Sequence, residues 1–320
     1  MEDYLRMEMV LNIILLLVGF VLLIKGADFF VDGSSSVARL LGIPGFVIGL
    51  TVVAMGTSAP EAAVSITAGI SGSNEIAISN IVGSNIFNLM VVAGLSAVIK
   101  PYNIENTLLK RDFPVNAIVC VVLLAMTILG GSLGRCDGII LLCAFVLYVV
   151  FVLFKAFKNR KTSKDSEVKT MNPVISVICI VGGLAAVIFG GDLVVDNAVA
   201  IAQRLNWSET FIGLTIIAIG TSLPELVTSV VAAKKGESGL ALGNVIGSNL
   251  FNIMLVLGLS SSINPIATDT SMIINVVLMT VITALIYGFC IIKKSMGRIV
   301  GGICVAGYAA YTAYLIFTTV

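Results

Sequence analysis

Runs of about 20 consecutive, mostly apolar residues constrain this chain more than any other feature, because that is the length of helix a lipid bilayer requires. Ten such runs can be drawn, at residues 10–30, 44–70, 76–99, 113–131, 138–154, 173–195, 207–233, 239–263, 272–292 and 299–317. Charged residues make up only 12% of the chain, against about 25% in a soluble protein, so too little polar material exists to cover a water-exposed surface. The polar stretch 158–172, with five basic and two acidic residues, reads as a solvated linker. The expected fold is an all-α membrane protein.

Several function classes fall away early. With no histidine in the chain, imidazole-based metal sites, catalytic triads and proton relays are excluded. A net charge of +1 makes nucleic acid a poor partner. Cys120, Cys136, Cys143, Cys179, Cys290 and Cys304 show no CxxC spacing and read as small hydrophobes. No nucleophile–base pair or cofactor loop is visible, so an enzyme is not expected. Glu2, Asp3 and Glu8 against Arg6 make the N-terminus too acidic for a secretory signal.

Cytoplasmic loops collect Lys and Arg. With both termini placed outside, fifteen basic residues fall on the inner side, from Arg39 to Arg298, and only Arg6, Arg135 and Arg204 on the outer. This bias predicts an even number of spans in a cytoplasmic membrane, with the linker inside.

The chain also repeats itself at an offset of 164 residues without a gap. Ala54-Met55-Gly56-Thr57-Ser58-Ala59-Pro60-Glu61 matches Ala218-Ile219-Gly220-Thr221-Ser222-Leu223-Pro224-Glu225. Asn80 to Asn88, containing G-S-N-I-F-N, matches Asn244 to Asn252, containing G-S-N-L-F-N. Each half holds five spans, so the second enters the membrane from the opposite face. The expected organisation is ten transmembrane helices as two inverted-topology five-helix repeats, at 9–157 and 173–320, joined by linker 158–172. Transporters built this way bind their cargo near the bilayer midplane.

Glu61 and Glu225 fall deep inside apolar spans, where a carboxylate costs about 2.5–3.5 kcal/mol on insertion scales. No Lys or Arg lies in the centre of a span to pair with them, which leaves a bound cation or protonation. Pro60 and Pro224 precede the acids and are expected to free the carbonyls of Gly56 and Gly220. Backbone breaks of this kind are tolerated in a membrane where they line a cavity. Thr57, Glu61 and Ser65 share one helical face, as do Asn80, Ser84 and Asn88, and both stripes recur in the second half. Gly83 and Gly247 are expected to permit close helix approach. These hydroxyls and amides serve either as interhelical hydrogen bonds or as ligands. Together the side chains offer only oxygen, which suits Ca²⁺ or Na⁺ rather than zinc or copper. Asp28, Asp32, Asp192 and Asp196, near span ends, read as solvated or locally paired rather than as an ion access route.

The paired G-T-S-x-P-E and G-S-N-[IL]-F-N segments resemble the α-repeats of the cation/Ca²⁺ exchanger superfamily, most closely its Na⁺/Ca²⁺ exchanger branch, over essentially the whole chain. The resemblance implies exchange of Na⁺ for Ca²⁺ by alternating access, with these ions and the lipid bilayer as partners and no permanently bound cofactor or obligate protein partner. It implies that Glu61 and Glu225 serve both ions and that Thr57 and Thr221 give Ca²⁺-binding carbonyls. Ser58, Ser84, Ser222 and Ser248, with the backbone oxygens of Ala54 and Ala218, become Na⁺ ligands, and Asn88 and Asn252 line the centre. The first and sixth spans become a peripheral pair that slides to switch access. Some relatives carry Asp where this chain has Asn252. From the residues alone, H⁺ could replace Na⁺, giving a Ca²⁺/H⁺ antiporter; a passive cation channel is a third reading.

Overall fold

The computed structural model describes residues 2–72, 74–159, 170–205, 207, 216, 218–268 and 270–319. They form α1 (Glu2–Leu41), α2 (Gly45–Thr57) and α3 (Ala59–Ile70), α4 (Ile76–Ile99) and α5 (Leu108–Gly130). After these come α6 (Arg135–Lys158), α7 (Pro173–Arg204), α8 (Ala218–Gly220) and α9 (Leu223–Lys235). The chain ends with α10 (Ser238–Ile263), α11 (Thr270–Lys293) and α12 (Arg298–Thr319). Among the described residues, seven helices are long and apolar enough to cross a membrane, or eight if α2 and α3, bent by 52°, count as one span. Part of the expected seventh span, 208–215 and 217, lies outside the described residues; the rest holds α8, most of α9 and isolated positions before them. Most of the expected linker, 160–169, also lies outside them.

Several helices outrun their apolar cores. The first was expected at 10–30, yet α1 has 40 residues and is about 60 Å long, so it overshoots a hydrocarbon layer of about 30 Å. Hydropathy marks where lipid ends, not where backbone hydrogen bonding does. The all-α expectation is also slightly wrong. β1 (Tyr102–Asn103) pairs antiparallel with β4 (Ser295–Met296), and β2 (Ser132–Leu133) with β3 (Ile266–Ala267). Each tiny ladder pairs backbone of one half with backbone of the other.

Helices α4 and α10 form the centre, with 78% and 94% of their most apolar stretches buried, against 11% for α1. Glycine sets the closest contacts. Gly19, Gly26 and Gly33 recur every seven residues on α1 and meet α7 in antiparallel order, at Gly190, Gly183 and Ser176. A Cβ placed on Gly26 would lie 2.8 Å from the Val187 amide nitrogen, and one on Gly183 2.6 Å from that of Phe30. Small residues at such crossings let van der Waals contact hold helices together in lipid. Gly247 packs against Leu50 and Ala54 as expected, but a Cβ on Gly83 would meet nothing within 4 Å. The residue related to Leu50 by the repeat, Leu214, lies outside the described residues.

Four stretches of the described helices are wound as π-helix, among them Asn88–Val92 inside α4 and Phe251–Leu257 inside α10. Such wider turns concentrate at functional sites, and here they open at or beside Asn88 and Asn252. All six cysteines are unpaired thiols.

Candidate ion-binding site

The two broken helices place the acids. Between α2 and α3 the backbone leaves helical geometry at Ser58 (φ −81°, ψ 10°), and before α9 it does so at Ser222 (φ −93°, ψ 7°). Pro60 and Pro224 then sit in the first turn of the following helix, where a missing N–H forfeits nothing. Glu61 and Glu225 share that first turn, at the positive end of the helix macrodipole, which favours a carboxylate. The two breaks differ in detail. The Ser58 N–H donates to the Ala54 carbonyl at 3.0 Å, whereas the Ser222 N–H donates to Ile219 at 3.1 Å. The Gly56 carbonyl, expected to be free, has beside it only the Ser58 N–H, which is already bonded to Ala54.

Each glutamate is gripped by a serine from the opposite repeat. Ser58 Oγ donates to Glu225 Oε1 at 2.7 Å, and Ser222 Oγ donates to Glu61 Oε1 at 2.8 Å. Ser248 adds a longer bond to Glu225 Oε1 at 3.4 Å, and Ser222 also reaches Ser84 at 3.3 Å. Both acids and all four serines are buried, with Glu61 and Glu225 at 0% exposure. Among the described residues no Lys or Arg makes an ion pair with either acid.

The asparagines form a second crossed set. Asn88 Nδ2 donates to Asn249 Oδ1 at 3.3 Å, and Asn252 Nδ2 donates to Asn85 Oδ1 at 3.1 Å. Asn85 and Asn249 in turn donate to each other's backbone carbonyls at 3.3 and 3.4 Å. The amide nitrogens of Asn88 and Asn252 are thereby committed, and their Oδ1 atoms are left over. Four oxygens in this region are buried without a hydrogen-bond partner: Oε2 of Glu61, Oε2 of Glu225, and Oδ1 of Asn88 and Asn252. Each such orphan costs about 1–3 kcal/mol or more, so these buried oxygens call for a partner such as water or an ion.

The remaining expected residues divide. Thr57 Oγ1 bonds Val53 O and Asn244 Oδ1, both at 3.1 Å, so its side chain is structural. Thr221 Oγ1 is buried without a partner. Asn80 and Asn244 bond Ser65 and Ser229 at 2.9 Å each, tying α4 to α3 and α10 to α9. Half of each Asn stripe is therefore interhelical adhesive. Reading along i+4 spacing missed Asn85 and Asn249, which orient the central amides. Their recurrence inside G-S-N-[IL]-F-N was the available signal. Ala54 and Ala218 lie in α2 and α8 beside the breaks.

The outlying aspartates also divide. Asp28 and Asp32 pair with Lys235 at 3.3 and 2.7 Å, the local pairing expected. Asp192 and Asp196 instead line a cavity of about 360 Å³ whose other walls include Pro60, Thr221 and Pro224. This cavity reaches residues on either side of the two helix breaks, while both aspartates remain exposed, in keeping with the expected solvation. Both aspartates lie on α7 one helical turn apart, so they face the same wall.

Residues 11–154 and 175–317 match the family described as sodium/calcium exchanger protein. The chain belongs to that family. Proteins similar to it over nearly their whole length include the inner membrane protein YrbG of Escherichia coli K12, 35% identical over 96% of this chain and 97% of the relative. The sodium/calcium exchanger MaX1 of Methanosarcina acetivorans is 32% identical over 96% and 99%. Among solved structures, that of the sodium-calcium exchanger NCX_Mj soaked without Na⁺ and Ca²⁺ superposes with a TM-score of 0.84, at 34% identity over 96% of this chain and 99% of that one. The chain is thus a multi-pass membrane protein and a cation/Ca²⁺ antiporter rather than an enzyme, and its fold is that of a membrane exchanger.

Proposed function

We propose that the chain exchanges Na⁺ for Ca²⁺ by alternating access at a midplane site built from Glu61 and Glu225. The observation that carries this reading is the crossed grip of Ser58 on Glu225 and Ser222 on Glu61, which leaves Oε2 of both acids buried and unpartnered, as are Oδ1 of Asn88 and Asn252. Two bidentate carboxylates and two amide oxygens would offer about six ligands, the lower end of the Ca²⁺ range. Two negative charges balance one Ca²⁺ or two Na⁺, so occupancy by one ion type disfavours the other. Ser58, Ser84, Ser222 and Ser248 keep lone pairs for Na⁺, as do the carbonyls of Ala54, Thr57, Ala218 and Thr221. MaX1 and NCX_Mj are themselves described as sodium/calcium exchangers, which supports Na⁺ as the coupling ion over H⁺.

The organisation that goes with this reading is ten spans in two inverted repeats, 9–157 and 173–320, in a cytoplasmic membrane with both termini outside. Contacts agree with that grouping of segments onto two faces, and the bias of Lys and Arg gives its direction. Asp28–Lys235, Arg39–Glu237, Ser36–Met171 and Tyr102–Met296 join only segments assigned to the inner side. Glu8–Arg204 and Ser132–Ala267 join only outer ones. Asp192 and Asp196 would then draw cations into the cavity that reaches Thr221.

Proteoliposomes loaded with Na⁺ provide the test. Uptake of ⁴⁵Ca²⁺ should require an outward Na⁺ gradient and vanish in Glu61→Gln and Glu225→Gln. Uptake that ignores Na⁺ but follows a pH gradient would make H⁺ the coupling ion. Ca²⁺ flux without any countertransport would make the chain a channel.

A further inference from the structure

A second pocket, mostly apolar but with cations in its wall, lies away from the acids, at the end of the bundle that carries the basic loops. It is a cavity of about 560 Å³ between the start of α2, the first two turns of α5 and the end of α6. Its cations are Lys110, Arg111 and Lys155. Its apolar walls include Phe46 and Phe151.

The charges here are prepared rather than neutralised. Arg111 is held along one edge by the buried Asp112, through Nε at 2.8 Å and Nη2 at 3.0 Å, while Tyr148 Oη donates to the same carboxylate at 2.9 Å. Its guanidinium carbon lies 5.6 Å from the Phe46 ring centroid, which fixes the plane of the group. Lys155 Nζ sits 5.2 Å from the Phe151 ring centroid. Among the described residues neither Lys110 nor Lys155 has a carboxylate within salt-bridge reach. After Asp112 offsets Arg111, two positive charges remain.

Their position breaks a local rule. Lys110 and Arg111 occupy the opening turns of α5, where the macrodipole is positive and acidic residues are favoured. The carboxylate of Glu105, just before α5, lies against Gly239 on α10 and does not line the cavity. Cations stacked on a positive helix end disfavour one another until an anion joins them. Asp112 answers Arg111, but among the described residues Lys110 has no ion-pair partner at that helix end, and a local rule broken without compensation points to a function.

The occupant can be named by its chemistry. Next to Phe151 on α6, the outward residues Leu147 and Phe154 are 70% and 65% exposed and face lipid. A molecule with a phosphate among the cations and a chain along α6 satisfies both surfaces, whereas a soluble phosphate satisfies only one. We propose that this pocket binds the headgroup of an anionic phospholipid, with Lys110, Arg111 and Lys155 on the phosphate and an acyl chain against Phe151 and Phe154. Basic pockets between helices on the cytoplasmic side suit such headgroups. The occupant touches Pro44, Phe46 and Val47, at the start of the broken span that carries Glu61. The assignment stands independently of which ions are exchanged.

The test uses the purified full-length protein in neutral detergent. Native mass spectrometry and thermal unfolding are followed on addition of dioleoylphosphatidylglycerol, dioleoylphosphatidylcholine or sn-glycerol 3-phosphate. Phosphatidylglycerol alone should bind and raise Tm in the wild type and in Lys293→Ala, a basic control outside the pocket. In Lys110→Ala/Lys155→Ala its affinity should fall on the order of 10-fold or more, with the lipid-free Tm unchanged, and Lys110→Arg/Lys155→Arg should restore it. The proposal is overturned if the double alanine variant binds phosphatidylglycerol as the wild type does, or if phosphatidylcholine binds equally well. It is likewise overturned if glycerol 3-phosphate alone reproduces the shift, which would make the site one for soluble phosphates.

Discussion

Ser222 donates a 2.8 Å hydrogen bond to Glu61 across 161 residues of sequence, and Ser58 does the same for Glu225 at 2.7 Å. A hydrogen bond to a charged group contributes about 1.5–3 kcal/mol. Ser222→Ala and Ser58→Ala should each weaken half-saturation by Ca²⁺ roughly 10-fold or more, with the smaller loss at Ser58 because Glu225 keeps its bond from Ser248. Flux titrations in proteoliposomes check this. Two wild-type-like curves would mean that the serines only fill space.

Asn85 holds the amide of Asn252 through Oδ1 and donates through Nδ2 to the Asn249 carbonyl. Asn85→Leu removes both bonds and leaves two buried groups unpaired, at about 1–3 kcal/mol each. The expected outcome is a lower Tm together with a smaller Tm rise on adding Ca²⁺, since ligand stabilisation follows affinity. A lower Tm with an undiminished Ca²⁺ response would limit Asn85 to a packing role.

The helix pair α1–α7 offers a matched comparison. Gly183→Ala places a methyl 2.6 Å from the Phe30 amide nitrogen and 2.7 Å from the Gly26 carbonyl, both rigid backbone, whereas Gly182→Ala meets nothing within 4 Å. Overpacking should destabilise the first by about 1–3 kcal/mol. The second should be neutral or gain up to about 1 kcal/mol from helix propensity. Thermal unfolding of both variants decides, and equal Tm values would contradict the close packing.

Asp192 and Asp196 line the cavity toward Thr221. Asp192→Asn/Asp196→Asn should raise the apparent KM for Ca²⁺ several-fold and leave maximal flux nearly unchanged. The effect should shrink as ionic strength rises, because steering charges are screened over about 10 Å at 0.1 M salt. A fall in maximal flux at constant KM would instead place these residues in the transport step.

Legibility varied with the kind of information a motif carries. The acids were readable because a carboxylate in an apolar run is costly and Pro60 and Pro224 mark a helix break beside it. The serine grip was not, because the 164-residue offset gives equivalence and not which copy touches which. The π turns at Asn88 and Phe251 escaped because winding depends on packing and has no residue code of its own. For the same reason i+4 counting grouped Asn80 with Asn88, although one ties α4 to α3 through Ser65 and the other bonds Asn249 across the repeats. The heptad glycines of α1 were visible at Gly19, Gly26 and Gly33. Their spacing alone, though, does not say which helix they meet.

The exchange of serines between halves has an ancestral corollary. A protein half this length would present a glutamate that nothing clasps and a serine with nothing to clasp. It could assemble a whole cage only by meeting a second copy of itself, so duplication and fusion would have made permanent a partnership that the chemistry already demanded.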